Sequence, residues 1–270
     1  MSSSNLLYRY IFHGTRLNIK PEAKQFLHEL GLSNPDAWIP FNEGEVLSNG
    51  TTTCLKVQLA DKCIYFKRYH YKKNLWEFFL RRSKAANELL NYQHFKEVGI
   101  PTLNTLALYE TRSFGRLEAA CIVTEELKNT TQLDDFYKNT LLKAPSNEQR
   151  VMLKDLNEKL FTQIRLAHNE GIFHLDLKWR NILIQQKDGV LTPIWIDCPR
   201  GIQRRFFNYR LKVAELSGLS RKALSFFSYS QLYRMLYLYL GKSATKKEAR
   251  KLFFDIQKHL AKRPPKIQNR

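Results

Sequence analysis

Apolar positions change their period along the chain, and each change marks the start of a different kind of element. After Asn18 the spacing predicts a helix over Lys20 to Leu30, then a Pro- and Asn-containing stretch ending at Pro40. From Glu45 the pattern switches. Thr51 to Leu59 and Ile64 to Tyr69 are rich in β-branched and aromatic residues, and with Ala60-Asp61-Lys62 between them they read as an antiparallel hairpin. Arg82 to Val98 repeats Ala85, Leu89, Tyr92 and Phe95 at helical intervals, and Gly99 supplies a stop. Two more strands, Thr105 to Tyr109 and Glu118 to Thr124, are joined by a polar loop around Ser113-Phe114-Gly115.

Beyond Asn129 the helical period dominates. Glu148 to Asn169 carries Leu153, Leu156, Leu160, Ile164 and Ala167 on one face, and helices are predicted at Phe207 to Leu216, Tyr229 to Leu240 and Thr245 to Leu260. The tail from Lys262, with two prolines and four basic residues, reads as frayed. No internal repeat is visible. The expectation is an α+β chain in two lobes: residues 1–127, an N-terminal extension and a β-rich lobe, then residues 128–270, a larger helical lobe.

Composition narrows this. With 270 residues, 43% hydrophobic and 13% aromatic, most of the chain can bury a core, and disorder is excluded for most of it. The net charge of +19 favours an anionic partner: nucleic acid, a nucleotide, an acidic membrane surface or a phosphorylated glycan. No run of eighteen apolar residues suggests a spanning helix. The nearest stretch, Leu224 to Leu240, is interrupted by Ser225, Ser228, Ser230, Gln231 and Arg234, and its aromatics are assigned to core packing. Met1 to Tyr10 lacks the basic-then-apolar layout of a secretory signal. Cys54, Cys63, Cys121 and Cys198 are widely spaced, which fits a reduced cytosolic chain better than a disulfide framework or a zinc site.

The chemistry concentrates where the long helix gives way to a short apolar strand. His174-Leu-Asp176-Leu-Lys178-Trp-Arg-Asn181-Ile-Leu spells H-x-D-L-K-x-x-N-I-L, and Asp197 ends a second apolar strand, Pro193 to Ile196. This is the order of the protein-kinase catalytic loop. Asp176 can accept the proton of an attacking hydroxyl, while Asn181 and Asp197 offer hard oxygens to Mg²⁺. Upstream, Lys67 ends a strand where the lysine for the α/β-phosphates is expected, and Glu88 falls in the next helix as its partner. Glu125 and Leu127 lie at the expected interlobe connection, where backbone groups would meet the adenine edge; the side chains of Glu125 and Glu126 are expected to be solvated. His174 is expected to pack and hydrogen-bond behind the loop.

These residues together resemble the lipopolysaccharide core kinases (Kdo and heptose kinases), a branch of the protein-kinase-like fold. The resemblance runs from about Glu45 to Gly241 and rests on several features. These are Lys67, Glu88 ahead of Gly99-Ile-Pro101-Thr, the catalytic loop, and Ile196-Asp197 followed by the arginine-rich Pro199 to Arg205. It implies a bilobal fold and ATP- and Mg²⁺-dependent phosphorylation of a sugar hydroxyl, Kdo or heptose, of the lipid-anchored inner core. It places the enzyme at the cytoplasmic face of the inner membrane of Gram-negative bacteria. It makes Asp176 the base, Asn181 and Asp197 the metal ligands, and Lys67 with Glu88 the nucleotide clamp.

The chain also departs from the protein-kinase pattern. Cys198-Pro199 stands where protein kinases carry Phe-Gly, and no Ala-Pro-Glu follows, which argues against a phosphorylated activation loop. The nucleotide loop, Ser48-Asn49-Gly50-Thr51, has one glycine, Gly50, in place of three. Lys178 is similar to the lysine of Ser/Thr kinases that steadies the γ-phosphate, and it is grouped here with the catalytic residues. Basic clusters at Lys67-Arg68 with Lys72-Lys73, Arg81-Arg82 with Lys84, Arg200 to Arg210 and Lys246 to Lys262 suggest peripheral docking on an anionic inner-membrane surface. Two rivals remain. A kinase of a soluble small molecule or a protein shares the carboxylates but leaves the basicity unexplained. A pseudokinase or RNA-binding module leaves the complete catalytic set unexplained, and no RNA-binding motif accompanies the charge, so no nucleic-acid partner is expected.

Overall fold

In a computed structural model, residues 12–71 and 77–262 are described. Three sequence readings therefore lie outside the described residues: the first ten residues, Lys72-Lys73, and the tail beyond Lys262. The chain divides into two units. One comprises the residues up to Tyr92 together with Leu103–Leu127; the other comprises Gln93–Thr102 and everything from Lys128.

The first unit is built on six antiparallel strands: β1 (Gly14–Ile19), β2 (Glu45–Asn49), β3 (Thr52–Leu59), β4 (Lys62–Tyr69), β5 (Thr105–Ser113) and β6 (Arg116–Glu125), in the spatial order β1-β5-β6-β4-β3-β2. The expected hairpin forms β3 and β4, with Ala60 at a φ of 53° in its two-residue turn. Strands β1 and β2 escape the sequence reading because they are edge strands. Every residue of β2 is exposed and β1 buries only Arg16, so neither shows the alternation that marks a half-buried strand.

The predicted helix over Lys20 to Leu30 is a 3₁₀ turn at Pro21–Ala23 that runs into α1 (Lys24–Glu29). Its Phe26 and Leu27, with Leu32, Trp38 and Phe41, pack onto Leu55, Val57, Ile64, Phe66, Tyr109, Cys121 and Val123 of the sheet. Trp38 stacks on Tyr109 with ring centres 5.6 Å apart, and its indole N–H donates to the Leu32 carbonyl at 2.9 Å. Residues 20–41 thus cover one face of the sheet. In β4 that face takes Ile64 and Phe66, which leaves Lys67 on the other by strand alternation. Helix α2 (Lys84–Glu97) starts at Ser83, whose Oγ accepts from the Ala86 N–H at 2.9 Å. It stops at Gly99, where a φ of 79° lets Ile100 N–H reach the Phe95 carbonyl at 2.8 Å.

The second unit is mostly helical. It holds β7 (Thr130–Gln132), α3 (Leu133–Asn139), α4 (Ser146–Asn169), β8 (Ile172–Phe173), β9 (Ile182–Lys187), β10 (Val190–Trp195), β11 (Ile202–Gln203), α5 (Tyr209–Ala223), α6 (Tyr229–Leu240) and α7 (Lys246–Ala261). Leu156, Leu160, Phe161, Ile164 and Ala167 form the buried stripe of α4, close to the face read from the sequence; Leu153 is half-buried. Strands β10-β9-β7 form a small sheet, and β11 pairs with β8. Capping boxes, Ser228 with Gln231 and Thr245 with Glu248, start α6 and α7. Helix α5 starts two residues later than expected, because Phe206 and Phe207 stay in solvent. It also runs past Ser217-Gly218 to Ala223, with Leu216, Leu219 and Ala223 buried. In the aromatic run, Phe227 and Tyr239 are core residues while Tyr229 is exposed.

Candidate active site

In the first unit, Lys67 and Glu88 meet. Lys67 Nζ lies 3.1 Å from Glu88 Oε1 and 3.2 Å from Oε2. The carboxylate is only 2% exposed and also accepts from the hydroxyls of Tyr69 and, at 2.7 Å, Tyr92. Each partner follows from element geometry: Tyr69 shares the strand face of Lys67, and Tyr92 lies one helical turn after Glu88. Lys67 Nζ also sits 5.1 Å from the Tyr69 ring centre. A buried carboxylate with three donors is held in one orientation, and it holds the ammonium in turn.

Gly50 sits in the two-residue turn between β2 and β3, where a Cβ would meet nothing within 4 Å. A Cβ fits there without a clash, so close approach does not require glycine at this position. At the end of β6 the Glu125 N–H donates to the Asn104 carbonyl at 2.9 Å and the Glu126 N–H to the Cys63 carbonyl at 3.0 Å. The Glu125 carboxylate accepts from Asn104 Nδ2 at 3.0 Å. Glu126 pairs with Lys56 at 2.8 Å, and that hydrogen bond holds its carboxyl below the usual range against a smaller burial effect. Leu127 closes this segment and the unit.

In the second unit, β8 delivers the chain into the motif. His174 is fully buried, with Nε2 2.8 Å from the Ile196 carbonyl and Nδ1 3.3 Å from the Asp176 N–H. A carbonyl only accepts, so the proton is assigned to Nε2, and the imidazole spans the catalytic loop and the end of the β10 segment. It stacks beside Phe95, ring centres 6.0 Å apart. His174 is therefore a bracing residue, as its sequence position suggested. Asn181 Nδ2 donates to the Asp176 carbonyl at 2.8 Å and to Asp176 Oδ2 at 3.3 Å. Lys178 Nζ bonds Asp176 Oδ1, and Arg180 Nη2 stands 3.9 Å from Oδ2. Ile196 N–H donates to the Asn181 carbonyl at 3.0 Å, so the residue before Asp197 is tied to this loop through both its N–H and its carbonyl. Asp176, Lys178 and Asn181 are in direct contact, and Asp197 follows the stitch, at a φ of 59°.

Sequence reasoning missed what braces the loop from behind. Leu175 adopts a φ of 60°, a conformation costing a non-glycine residue about 1–2 kcal/mol. Its N–H donates to Glu215 Oε2 at 2.8 Å. Glu215 Oε1 in turn accepts from His168 Nε2 at 3.2 Å, and His168 Nδ1 lies 2.9 Å from the Tyr239 hydroxyl. All three side chains are buried; burial first, then the Glu215 charge, pushes the Tyr239 hydroxyl well above its ordinary value, so it remains a donor. Helices α4, α5 and α6 each contribute one member. The only sequence signal was three polar residues on otherwise apolar helix faces.

Among the described residues, no group of three or more His, Cys, Asp or Glu side chains gathers as a metal site. The set Asp176, Asn181 and Asp197 has two carboxylates and one carboxamide. With its nitrogen committed to Asp176, the Asn181 amide keeps Oδ1 as an acceptor. Hard oxygens of this kind suit Mg²⁺ held in part by nucleotide phosphates and water.

A sequence model of the lipopolysaccharide kinase (Kdo/WaaP) family matches residues 40–239. The chain belongs to this family. It is a kinase, and lipopolysaccharide is the acceptor class. A solved structure described as WaaP in complex with acyl carrier protein aligns over 91% of this chain and 95% of that one, at 20% identity and a TM-score of 0.68. That likeness supports the α+β, kinase-like fold expected from the sequence. No curated protein sequence matches the chain. Among the described residues, no helix is long and apolar enough to cross a membrane.

Proposed function

We propose that this kinase transfers the γ-phosphoryl group of ATP to a Kdo or heptose hydroxyl of the lipopolysaccharide inner core, with Asp176 as the general base. The observation that carries this reading is the Asn181 carboxamide, which bonds the backbone carbonyl and the side chain of Asp176 at once and so fixes the carboxylate's position. Asp176 is 22% exposed on its side chain and remains open to an incoming hydroxyl, whose proton it takes. Lys178, already on Asp176, swings to the γ-phosphate as substrate displaces it. Lys67, held by Glu88, takes the α/β-phosphates, and the Gly50 turn with the Glu125–Leu127 backbone takes the rest of the nucleotide. Asn181 and Asp197 would hold Mg²⁺, which supplies neutralisation of phosphate charge.

The test is incubation with labelled ATP of two core preparations, one ending at Kdo and one carrying heptose, read by mass spectrometry. A phosphate on either sugar that disappears in Asp176→Asn supports the reading and identifies the sugar. Label on protein only, or undiminished transfer by Asp176→Asn, overturns it.

A further inference from the structure

Beyond Asp197 the chain leaves the site and does something the reaction does not require. Arg204 and Arg205 lead into Phe206 and Phe207, whose side chains are 75% and 90% exposed. Each such ring presents roughly 150 Å² or more of apolar surface to water. The base of this loop is firmly held. Ile202 and Gln203 pair with Phe173 and Ile172, and the Arg204 N–H donates to the Gly171 carbonyl at 2.6 Å. A Cβ on Gly171 would stand 2.5 Å from the Arg204 carbonyl oxygen, so the two backbones touch. On its other side, the Tyr209 hydroxyl donates to Asp255 Oδ2 at 2.7 Å and its ring centre lies 5.2 Å from Lys251 Nζ, which joins the loop to α7.

Helix α7 continues the same chemistry. Lys247, Lys251, Phe254 and Lys258 recur four, three and four residues apart, so they fall on one stripe, and all four are exposed. Ala249, Leu252 and Ile256 form the buried face. Cationic side chains interleaved with exposed rings have the composition of an interfacial segment, in which charges meet headgroups and rings enter the acyl boundary. The rings stand in the loop and along the exposed stripe of the helix.

We propose that the 204–210 loop and the Lys247–Lys258 stripe of α7 form a docking face for an anionic phospholipid bilayer. Arginines and lysines meet headgroup phosphates, and Phe206, Phe207 and Phe254 enter the interface. The proposal rests on the reading that the acceptor is lipid-anchored, and it specifies the part of the molecule that would meet the acceptor's membrane. Each cation near such a surface contributes about 1 kcal/mol, falling with salt.

The experiment is co-sedimentation of the full chain, without nucleotide or acceptor, with phosphatidylethanolamine vesicles containing about one quarter phosphatidylglycerol, and with phosphatidylcholine vesicles as the uncharged control. The expected result is binding to the anionic vesicles alone, weakening with salt. Phe206→Ser with Phe207→Ser should lower partitioning by about tenfold, and Lys247→Glu with Lys251→Glu should lower it and flatten the salt dependence. Phe206 and Phe207 are exposed, so thermal unfolding of the phenylalanine variant should not change, while the lysine variant loses the Lys251–Tyr209 contact and should unfold at a slightly lower temperature. A wild-type chain that stays in the supernatant, a double phenylalanine variant that sediments as before, or binding to an acidic protein in place of vesicles overturns the proposal. Vesicle binding without phosphorylation of any core sugar would sink the acceptor reading and leave this face standing. Phosphorylation of a delipidated core fragment by a chain that ignores vesicles would sink this face alone.

Discussion

Two lysine–carboxylate pairs, Lys67–Glu88 in one unit and Lys178–Asp176 in the other, are opposites. Glu88 is 2% exposed and takes three donors, Lys67, Tyr69 and Tyr92. Asp176 is part-exposed, and its cationic neighbours, Lys178 and Arg180, are on solvent-facing side chains. A saturated, buried carboxylate has no lone pair to spare for a substrate proton and serves to fix an ammonium. An open one flanked by mobile cations can exchange those partners for substrate. The same two functional groups therefore become a strut in one place and a reactive centre in the other, and burial decides which.

Substitutions that separate rate from stability probe this contrast. The largest effect is expected from Asp176→Asn, which removes the base but keeps the shape. Turnover should fall about 10²–10⁴-fold with the urea midpoint unchanged, and a loss of stability would mean that Asp176 is a strut as well. Lys67→Met should lower both turnover and stability. It leaves the buried Glu88 carboxylate without its ammonium, costing about 3 kcal/mol by urea denaturation, whereas Lys178→Met should stay within about 0.5 kcal/mol. Equal costs for the two would erase the distinction. Tyr92→Phe removes one donor from Glu88 and should cost about 1 kcal/mol by the same measurement.

Smallest is Glu126→Gln, a control at the surface pair with Lys56. The Glu126 carboxyl is held below its ordinary value in the folded chain. Its contribution is therefore present above the unfolded carboxyl range and is lost as pH falls through the folded value. The thermal midpoints of wild type and variant should converge as the pH is lowered into that range.

What could be read in the sequence is what covalent spacing sets. Asp176, Lys178 and Asn181 are near neighbours in one loop, so their contact was implicit in the motif. Lys67 and Glu88 sit on a strand and the helix that follows it, and their pairing needed only the order of elements. Glu215 and His168 could not be read this way. Glu215 lies 40 residues from Leu175 and 47 from His168, and nothing local marks a helix glutamate as the acceptor for a strained backbone amide. The edge strands β1 and β2 were hidden for a related reason: their register comes from a neighbour's backbone, which leaves no hydrophobic period behind. The four cationic clusters were visible as charge, but Phe207, one of the two solvated phenylalanines among the arginines, was absorbed into a helix start.

Gly171 carries one more consequence. With a φ of 71° and the Arg204 backbone pressed against it, hydrogen is the one substituent the site accepts. A single methyl group would have to unseat the returning strand or skew the peptide that enters His174. The arginine-bearing excursion and the phosphoryl-transfer loop thus share one indivisible splice, and over evolutionary time neither backbone can drift without dragging the other along.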